Sequence, residues 1–306
     1  MNLDLILALL AATIQSGTPI LYATLGEIIT EKAGILNLGV EGIMLIGALA
    51  GFLVSQSFGS PVLGFILGGL CGAFFAGIHG CICLIFQGNQ VVSGLALTIL
   101  GTGLAYFLGT PFIGQSAPGF SKLVIPVLSH LPVIGPVFFN HDILVYISYI
   151  LPVVILIFLN KTRWGLRLRA VGEYPQAALA AGVKVILYRW IGVLLGGFLV
   201  GLGGAYLSLA YTHLWTNGLT SGRGWIAVAL VIFAFWHPLR AILGAYLFGG
   251  IMAFQLRVQA LGTNLPSSIL LMLPYAMTII VLSLSYRKGH LSEAPASLGT
   301  NIEPEE

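Results

Sequence analysis

The sequence predicts an all-α integral membrane protein, and three features of the chain support that class. First, 58% of the 306 residues are hydrophobic and 8% are charged, whereas a soluble domain carries about 25% charged residues. Second, the 80 residues from Gly42 to Ser121 include no Asp, Glu, Lys or Arg. Third, the apolar runs suit helical spans of about 20 residues and lack the alternation of β-barrel strands. A water-soluble surface cannot be built from such a chain.

Roughly nine transmembrane helices, within a range of eight to ten, follow when the chain is divided at clusters of polar residues, Gly and Pro. The predicted spans are 3–25, 34–56, 61–86, 89–109, 142–160, 190–211, 224–237, 239–257 and 267–286. The transmembrane domain covers residues 1–288, with repeat halves at about 1–160 and 190–288. Residues 289–306 lose hydrophobicity and end in acidic residues, which predicts a disordered cytoplasmic tail.

The basic residues predict the orientation of the spans. Residues 161–189 hold six of the thirteen Lys and Arg residues, so the positive-inside rule makes this loop cytoplasmic. Alternating sides from that loop puts the N-terminus outside and the C-terminus in the cytoplasm. No basic residue precedes the first apolar run, which favours a retained span over a cleaved signal peptide. The tryptophans all fall near predicted span ends, as interfacial residues do: Trp164, Trp190, Trp215, Trp225 and Trp236.

The chain also contains a predicted internal repeat. Glu41 and Gly42 open a span that ends before Pro61, and Arg223 and Gly224 open one that ends before Pro238. The second unit begins five predicted spans after the first, so the two copies cross the membrane in opposite directions. Inverted repeats are common in transporters, and their Gly-interrupted segments, here 33–42 and 217–224, are where unwound backbone faces a solute.

A second glycine pattern follows Pro61, with a small residue at every fourth position: Gly64, Gly68, Gly72, Ala76 and Gly80. Such a stripe lets helix backbones approach closely within a membrane. It therefore predicts helix packing, with a hinge or channel lining as the less favoured interpretation.

Several motifs of soluble enzymes are absent from the sequence. There is no GxxxxGK[ST] phosphate loop, no HExxH, no GxSxG and no CxxC, and the six histidines are scattered. The chain is therefore not expected to be an enzyme or to hold a metal or other cofactor, and any ATP drive must come from a partner. The three cysteines are interpreted as small apolar packing residues: Cys71, Cys81 and Cys83.

Five segments carry a resemblance to a known family. They are GEIITEKAGILNLGVEGIMLIGA (26–48), NQVVSGLAL (89–97), RAVGEYPQAALAAGV (169–183), GRGWIAVALVIFAFWHP (222–238) and LPY (273–275). Over nearly its whole length the chain resembles the permease subunits of bacterial ABC importers for nucleosides, simple sugars and branched-chain amino acids. The first segment is most similar to the nucleoside and simple-sugar members, so a nucleoside is the expected substrate and a branched-chain amino acid the alternative. At Thr98 the chain departs from nucleoside relatives, which often carry Asn there.

The resemblance implies an ABC importer permease fold in the bacterial cytoplasmic membrane. The implied partners are a cytoplasmic ATPase, a second permease subunit that is identical or related, and an extracytoplasmic solute-binding protein; no nucleic acid is expected. From the residues alone, Glu173 to Gly182 reads as a short helix or an ordinary connector. The resemblance implies that this segment is the coupling helix that docks on the ATPase, through Glu173, Tyr174, Pro175, Gln176, Ala177, Ala178 and Gly182.

Polar residues within or beside the spans are the predicted substrate-pathway residues: Asn37, Glu41, Asn89, Gln90, Asn217, Arg223 and Trp225. An ionisable group at membrane depth costs on the order of 2.5–3.5 kcal/mol. Glu41 and Arg223 are therefore interpreted either as polar anchors near the pathway or as ties to loop backbone or to each other. The amides either bind a ribose or a base or bridge helices. Trp225 either stacks on a base or lies at the membrane interface.

Two other classes of membrane protein fit the sequence less well than an importer subunit does. An ion-coupled secondary transporter needs carboxylates within its spans, and only Glu41 and, less clearly, Glu27 qualify. An intramembrane enzyme needs a catalytic constellation that the sequence lacks. His79 is interpreted as a packing residue rather than a proton relay, and Pro274 is expected to kink the last span.

Overall fold

A computed structural model describes residues 3–126, 128–260, 267–286 and 294–301. Its helices, in chain order, are α1 (Leu3–Lys32), α2 (Val40–Phe58), α3 (Pro61–Gly80), α4 (Gln90–Gly109), α5 (Ile134–Phe138), α6 (Ile143–Lys161), α7 (Arg163–Glu173), α8 (Pro175–Ala180), α9 (Val185–Tyr206), α10 (Arg223–Phe233), α11 (Pro238–Ala260) and α12 (Ser267–Tyr286). Single π-helical turns, Cys81–Ile85 and Leu207–Tyr211, continue α3 and α9. Short 3₁₀ turns lie at Thr110–Phe112 and Leu128–His130.

Seven of these helices are long and apolar enough to cross a membrane: α1, α2, α3, α4, α6, α9 and α11. Helices also lie in the other two predicted spans, where α12 has 20 residues and α10 has 11. At about 1.5 Å per residue α10 is about 16 Å long, against about 30 Å of hydrocarbon. The predicted span 224–237 is therefore too short to cross alone, and the count of nine spans stays a prediction.

The predicted boundary between the first two spans is wrong. The first span was expected to end at residue 25 and the second to begin at 34, but α1 continues to Lys32 and α2 begins at Val40. The two acidic residues after position 25, Glu27 and Glu31, are buried by neighbouring helices, so they do not end the helix. Gly34, with a φ of +87°, turns the chain out of α1. Residues 33–39 then form an irregular connection between the two helices.

Small residues set the closest helix contacts. A Cβ atom at Gly68 would lie 2.7 Å from the Gly47 carbonyl oxygen of α2, and one at Gly72 would lie 2.5 Å from the Gly197 carbonyl oxygen of α9. Real Cβ atoms essentially never approach backbone so closely, so only glycine fits at these positions. The predicted packing role of the stripe after Pro61 is confirmed.

The contacts between helices fix their relative directions. α3 packs antiparallel to α2 and to α9, and α1 packs antiparallel to α9, so α2 runs opposite to α1. Thr24 of α1 lies beside Ala227, and further along α1 Glu31 contacts Trp236, just after α10. α10 therefore runs in the same direction as α1 and opposite to α2.

The connection between α4 and α6 contains the only strands in the part of the chain that the structure describes, so the all-α prediction misses a small hairpin. β1 (Lys122–Val124) and β2 (Asn140–Asp142) pair antiparallel, with Lys122 opposite Asp142. Asp142 also begins α6, since its Oδ1 accepts hydrogen bonds from the N–H groups of Leu144 (2.9 Å) and Val145 (3.1 Å).

The predicted disorder of the tail does not hold for residues 294–301. These residues form turns that hydrogen-bond to the end of α7 and to the connection between α1 and α2. Small polar residues look disordered in a sequence, yet here their backbone groups meet buried partners, including the guanidinium of Arg189. The rest of the predicted tail, 289–293 and 302–306, lies outside the described residues.

Candidate functional site

The connection between α1 and α2 is held by buried polar side chains. The Asn37 N–H donates to Glu27 Oε1 of α1 at 3.2 Å, and the Leu36 N–H donates to Gln90 Oε1 of α4 at 2.7 Å. The Asn37 side chain folds back, so that its Oδ1 accepts from the Gly39 N–H at 2.8 Å. His79 Nε2 lies 3.1 Å from the Leu36 carbonyl oxygen, which fits its predicted role as a packing residue. Side chains of α1, α3 and α4 thus satisfy backbone groups that no helix satisfies.

The carboxylate of Glu41 joins the two glycine-rich breaks. Glu41 lies in the first turn of α2, and its Oε1 accepts from the Thr220 hydroxyl and from the Gly222 N–H at 2.9 Å. Its Oε2 accepts from the Gly224 N–H at 2.7 Å. Gly222 and Gly224 begin α10, so the carboxylate sits at a helix N-terminus, where unpaired N–H groups favour an anion. We call this contact between Glu41 and residues 220–224 the junction.

Glycine is required on the α10 side of the junction. Gly222 has a φ of +78°, a conformation that side chains rarely adopt. A Cβ atom at Gly224 would lie 2.5 Å from the Cα of Glu41. The two breaks therefore lie backbone against backbone, although the sequence separates them widely.

Arg223 is bound within its own loop. Its Nη1 donates to the carbonyl oxygens of Thr220 (3.0 Å) and Leu219 (3.3 Å). Its guanidinium lies over the ring of Tyr211, 5.6 Å from the ring centroid. The side chain is 5% exposed, and its Nε has no partner among the described residues. These contacts of Arg223 match the predicted tie to loop backbone, and its role in the pathway stays a prediction.

The other predicted pathway residues lie at the start of α4, in the loop before α10 and on α10. Asn89 caps α4, where its Oδ1 accepts from the Val92 N–H at 3.0 Å, and it is exposed. Gln90 is buried, and besides its bond to Leu36 it donates to Asn301. Asn217 is exposed in the loop before α10, and Trp225 is 36% exposed on α10. Asn37 and Asn217 thus lie within the two breaks, Glu41 and Arg223 lie at the junction and Trp225 follows it directly, whereas Asn89 and Gln90 lie at the start of α4.

Sequence reasoning missed two residues near the breaks. Glu31 is 2% exposed and its carboxylate accepts from the indole N–H of Trp236. Tyr275 of α12 is 46% exposed, and its hydroxyl lies directly against Gly222. The four-residue spacing of Glu27 and Glu31 puts both on one helix face, and this was the available signal.

Two tryptophans also differ from the interfacial interpretation. Trp215 is fully buried and Trp236 is 5% exposed, so neither faces lipid. The side chain of Trp236 is instead the hydrogen-bond donor to Glu31. A tryptophan near a span end therefore does not by itself mark the membrane surface.

The predicted coupling segment is formed by the end of α7 and by α8. Gly182, with a φ of +77°, follows α8, as expected for a helix stop. Glu173, Tyr174, Gln176 and Ala177 are exposed, whereas Ala178 is 5% exposed. A cavity of about 1080 Å³ adjoins this segment and is lined by parts of α8, α9, the π-helical turn after α3, and residues 296–301.

A bundle of membrane-spanning helices with two broken segments that meet at a polar junction is the architecture of a multi-pass transport protein. The family is more specific. Residues 9–282 match the model of the branched-chain amino acid transport system permease component, so the chain belongs to that family.

Three curated relatives resemble the chain over most of its length. It is 47% identical to the putative glucose ABC transporter permease protein TsgC13 of Haloferax volcanii, over 84% of this chain and 79% of the relative. It is 36% identical to the nucleoside ABC transporter permease protein NupC of Lactococcus lactis, over 93% of each chain. It is 34% identical to the guanosine ABC transporter permease protein NupQ of Bacillus subtilis, over 89% of this chain and 90% of the relative. No solved structure matches the chain.

These comparisons confirm the resemblance drawn from the sequence motifs. The relatives are permease subunits of ABC transporters, which are not enzymes, and ATP is hydrolysed by a separate subunit. Among the described residues, no group of three or more His, Cys, Asp or Glu side chains is placed to hold a metal ion.

Proposed function

We propose that this chain is the membrane-spanning subunit of an ATP-driven importer that carries an uncharged nucleoside or simple sugar into a bacterial cell. The relatives support this substrate class, since they are named as glucose, nucleoside and guanosine permeases. A nucleoside and a sugar share a polyhydroxylated ring that hydrogen-bonds to amides and hydroxyls.

The observation that carries the proposal is that the charged side chains of Glu41 and Arg223, at the breaks, form hydrogen bonds within the protein. Each oxygen of Glu41 accepts at least one hydrogen bond from residues 220–224, and Arg223 donates to carbonyl oxygens. A zwitterionic amino acid needs a charged partner for its ammonium group, and the Glu41 carboxylate that could meet it is already engaged within the protein. An uncharged solute makes no such demand, which favours it over a branched-chain amino acid.

We further infer that the two halves of the chain form an inverted repeat. In support of this, α2 and α10 run in opposite directions and their N-terminal turns meet at Glu41. α3 and α11, which follow them, also run in opposite directions. Inverted halves that meet at broken helices suit alternating access, because one half can rock against the other around a fixed site.

The proposed orientation puts the N-terminus outside and the coupling segment inside. The end of α1 at Lys32 lies directly against Gly172 of α7, so the start of α1 lies at the opposite end of the bundle. Residues 294–301 pack against Gly172 as well, which supports a cytoplasmic C-terminal region. The basic residues of 161–189 belong on that face of the bacterial cytoplasmic membrane.

The proposed partners are a cytoplasmic ATPase, a second permease subunit and an extracytoplasmic solute-binding protein. Exposed side chains of Tyr174, Gln176 and Ala177 support the assignment of α8 as the surface that meets the ATPase. Helices α4 and α6 carry many exposed apolar residues, which suits contact with lipid or with the second permease, whether identical or related.

The experiment that tests the proposal uses the complete importer. The chain is co-expressed with the ATPase, permease and binding protein encoded beside it, and uptake into proteoliposomes is measured for guanosine, adenosine, cytidine, ribose, glucose and leucine. The proposal is supported if a nucleoside or a sugar is taken up only when ATP is supplied on the side of the membrane that carries the ATPase. Uptake of leucine alone contradicts the substrate class, and uptake that follows an ion gradient without ATP contradicts the importer mechanism.

A further inference from the structure

Residues 294–301 lie between the coupling segment and the connection of α1 to α2. On the coupling side, the Ser297 N–H donates to the Gly172 carbonyl oxygen at 3.0 Å, and the Ser297 hydroxyl donates to the same oxygen at 2.6 Å. The Ala296 N–H donates to Glu173 Oε2 at 3.2 Å. This short segment is therefore bonded to the last two residues of α7, immediately before α8.

The same segment is bonded to the break in the first half of the chain. The Gly299 N–H donates to the Gly34 carbonyl oxygen at 3.3 Å. Asn301 Oδ1 accepts from Gln90 Nε2 at 3.2 Å, while Oε1 of that glutamine accepts from the Leu36 N–H at 2.7 Å. Through Gly34 and Gln90 the segment thus reaches the connection that leads to Glu41.

Arg189 binds residues 297 and 300 of this segment through two hydrogen bonds. This side chain of α9 is 1% exposed, its Nη1 donates to the Thr300 carbonyl oxygen at 3.0 Å, and its Nη2 donates to the Ser297 hydroxyl at 3.3 Å. A buried guanidinium is costly unless its donors are paired, and the planar fork of Arg suits two acceptors at once. Its Nε has no partner among the described residues, so the guanidinium depends on residues 297 and 300 for its contacts.

We propose that residues 294–301 act as a clasp that transmits movement of α8 to the connection between α1 and α2, with Arg189 as the positioning residue of that clasp. The inference rests on the proposed function, because it takes α8 as the surface that meets the ATPase. Hydrogen bonds join the clasp to α7, α9, the Gly34 turn and the start of α4. A shift of α7 and α8 that keeps these bonds moves residues 33–39 and hence the junction. Because Gly172 also lies directly against Lys32 and Gly34, the contribution of the clasp is the part of this movement that is lost when the clasp is removed.

The test compares the complete importer in nanodiscs with a variant that lacks residues 294–306. Hydrogen exchange of peptides covering 33–39 is measured without nucleotide and with a trapped ATP state. In the wild type we expect the nucleotide to change exchange in these peptides at least fivefold, and in the deletion variant we expect less than a twofold change while the ATPase remains bound. Solute transported per ATP hydrolysed should fall at least fivefold in parallel.

Two substitutions distinguish the effect of losing the clasp contacts from the effect of a general loss of stability. Arg189→Lys keeps the charge but loses the fork, so its nucleotide response should lie between those of the wild type and the deletion variant. Thr300→Ser keeps the carbonyl oxygen that Arg189 binds and the hydroxyl that donates to the Ser297 carbonyl oxygen at 2.7 Å, so it should behave as the wild type.

Three results overturn the proposal. They are an unchanged nucleotide response in the deletion variant, no nucleotide response at 33–39 in the wild type, and a deletion variant that does not fold, which would make the segment part of the fold alone. Failure of the proposed function would be a different result. In that case the wild-type importer would transport none of the tested solutes when ATP is supplied.

Discussion

Replacing Glu41 by glutamine removes the charge of the junction and keeps the length of the side chain. In the wild type Oε1 accepts from Thr220 and Gly222, and Oε2 accepts from Gly224. Glutamine has one carbonyl oxygen, so its NH₂ group must face at least one of these donors. The variant loses one hydrogen bond and makes the remaining two without the help of a charge.

The size of the effect follows from those three contacts. A hydrogen bond to a charged acceptor contributes about 1.5–3 kcal/mol, and a buried N–H left unpaired costs about 1–3 kcal/mol. Because the two surviving bonds become weaker as well, we expect the closed junction to lose about 2–4 kcal/mol of stability. We call the junction open when residue 41 does not contact residues 220–224. The loss of stability corresponds to an increase of about 30- to 900-fold in the population of this open state.

Hydrogen exchange of peptides covering 217–226 measures that population, since the N–H groups of Gly222 and Gly224 are bonded to the replaced side chain. The matched control is Glu31→Gln, because the bond from Trp236 goes to one oxygen and an amide carbonyl can accept it. We expect the control to change exchange in these peptides less than threefold. Exchange in Glu41→Gln that stays within threefold of both the wild type and the control would refute the reasoning.

Three further predictions concern packing, coupling and capping. Gly47→Ala pushes a methyl group into the backbone of α9, so it should lower the thermal midpoint by an amount equivalent to about 1–3 kcal/mol. In the control Gly103→Ala the added Cβ meets open space, so this variant should be neutral or stabilising. Equal midpoints for the two variants would contradict the packing argument. Ala177→Arg should reduce the amount of co-purified ATPase at least tenfold without unfolding the permease. The control is Ser57→Arg, at an exposed position near the end of α2. Retention of the ATPase in both variants would show that α8 does not contact the ATPase. Asp142→Ala should lower the free energy of unfolding by about 1–2 kcal/mol because two capping bonds are lost, and Asp142→Asn should recover most of that loss. Equal stability of Asp142→Ala and the wild type would contradict the capping role.

The helices could be predicted because each apolar run must satisfy its backbone internally, and every predicted span contains a helix. Their ends were less predictable where charge is involved. Glu27 and Glu31 looked like the end of a span, since a carboxylate facing lipid is costly, but neighbouring helices cover both. Hydropathy does not distinguish a side chain that faces lipid from one that faces protein.

The candidate site was predictable in part. The glycine-rich units pointed to Glu41 and Arg223, because an ionisable group beside a broken helix needs a polar partner. The partners themselves were not predictable, and a tie between Glu41 and Arg223 was only one of the interpretations. Their contact depends on how α1, α2 and α10 pack, which no spacing along the chain records. The same limit applies to residues 294–301, whose composition suggests disorder while their backbone binds Arg189.

The sequence by itself determined that this protein spans a membrane many times, where its long apolar helices lie and which family it belongs to, because apolar length, glycine spacing and motif identity are local properties. Only the tertiary structure decided which polar groups meet. It placed the Glu41 carboxylate on the N-terminus of α10 and the C-terminal segment against the predicted coupling region. The physical reason is that a buried polar group must find a partner in three dimensions, and that partner is selected by helix packing rather than by distance along the chain.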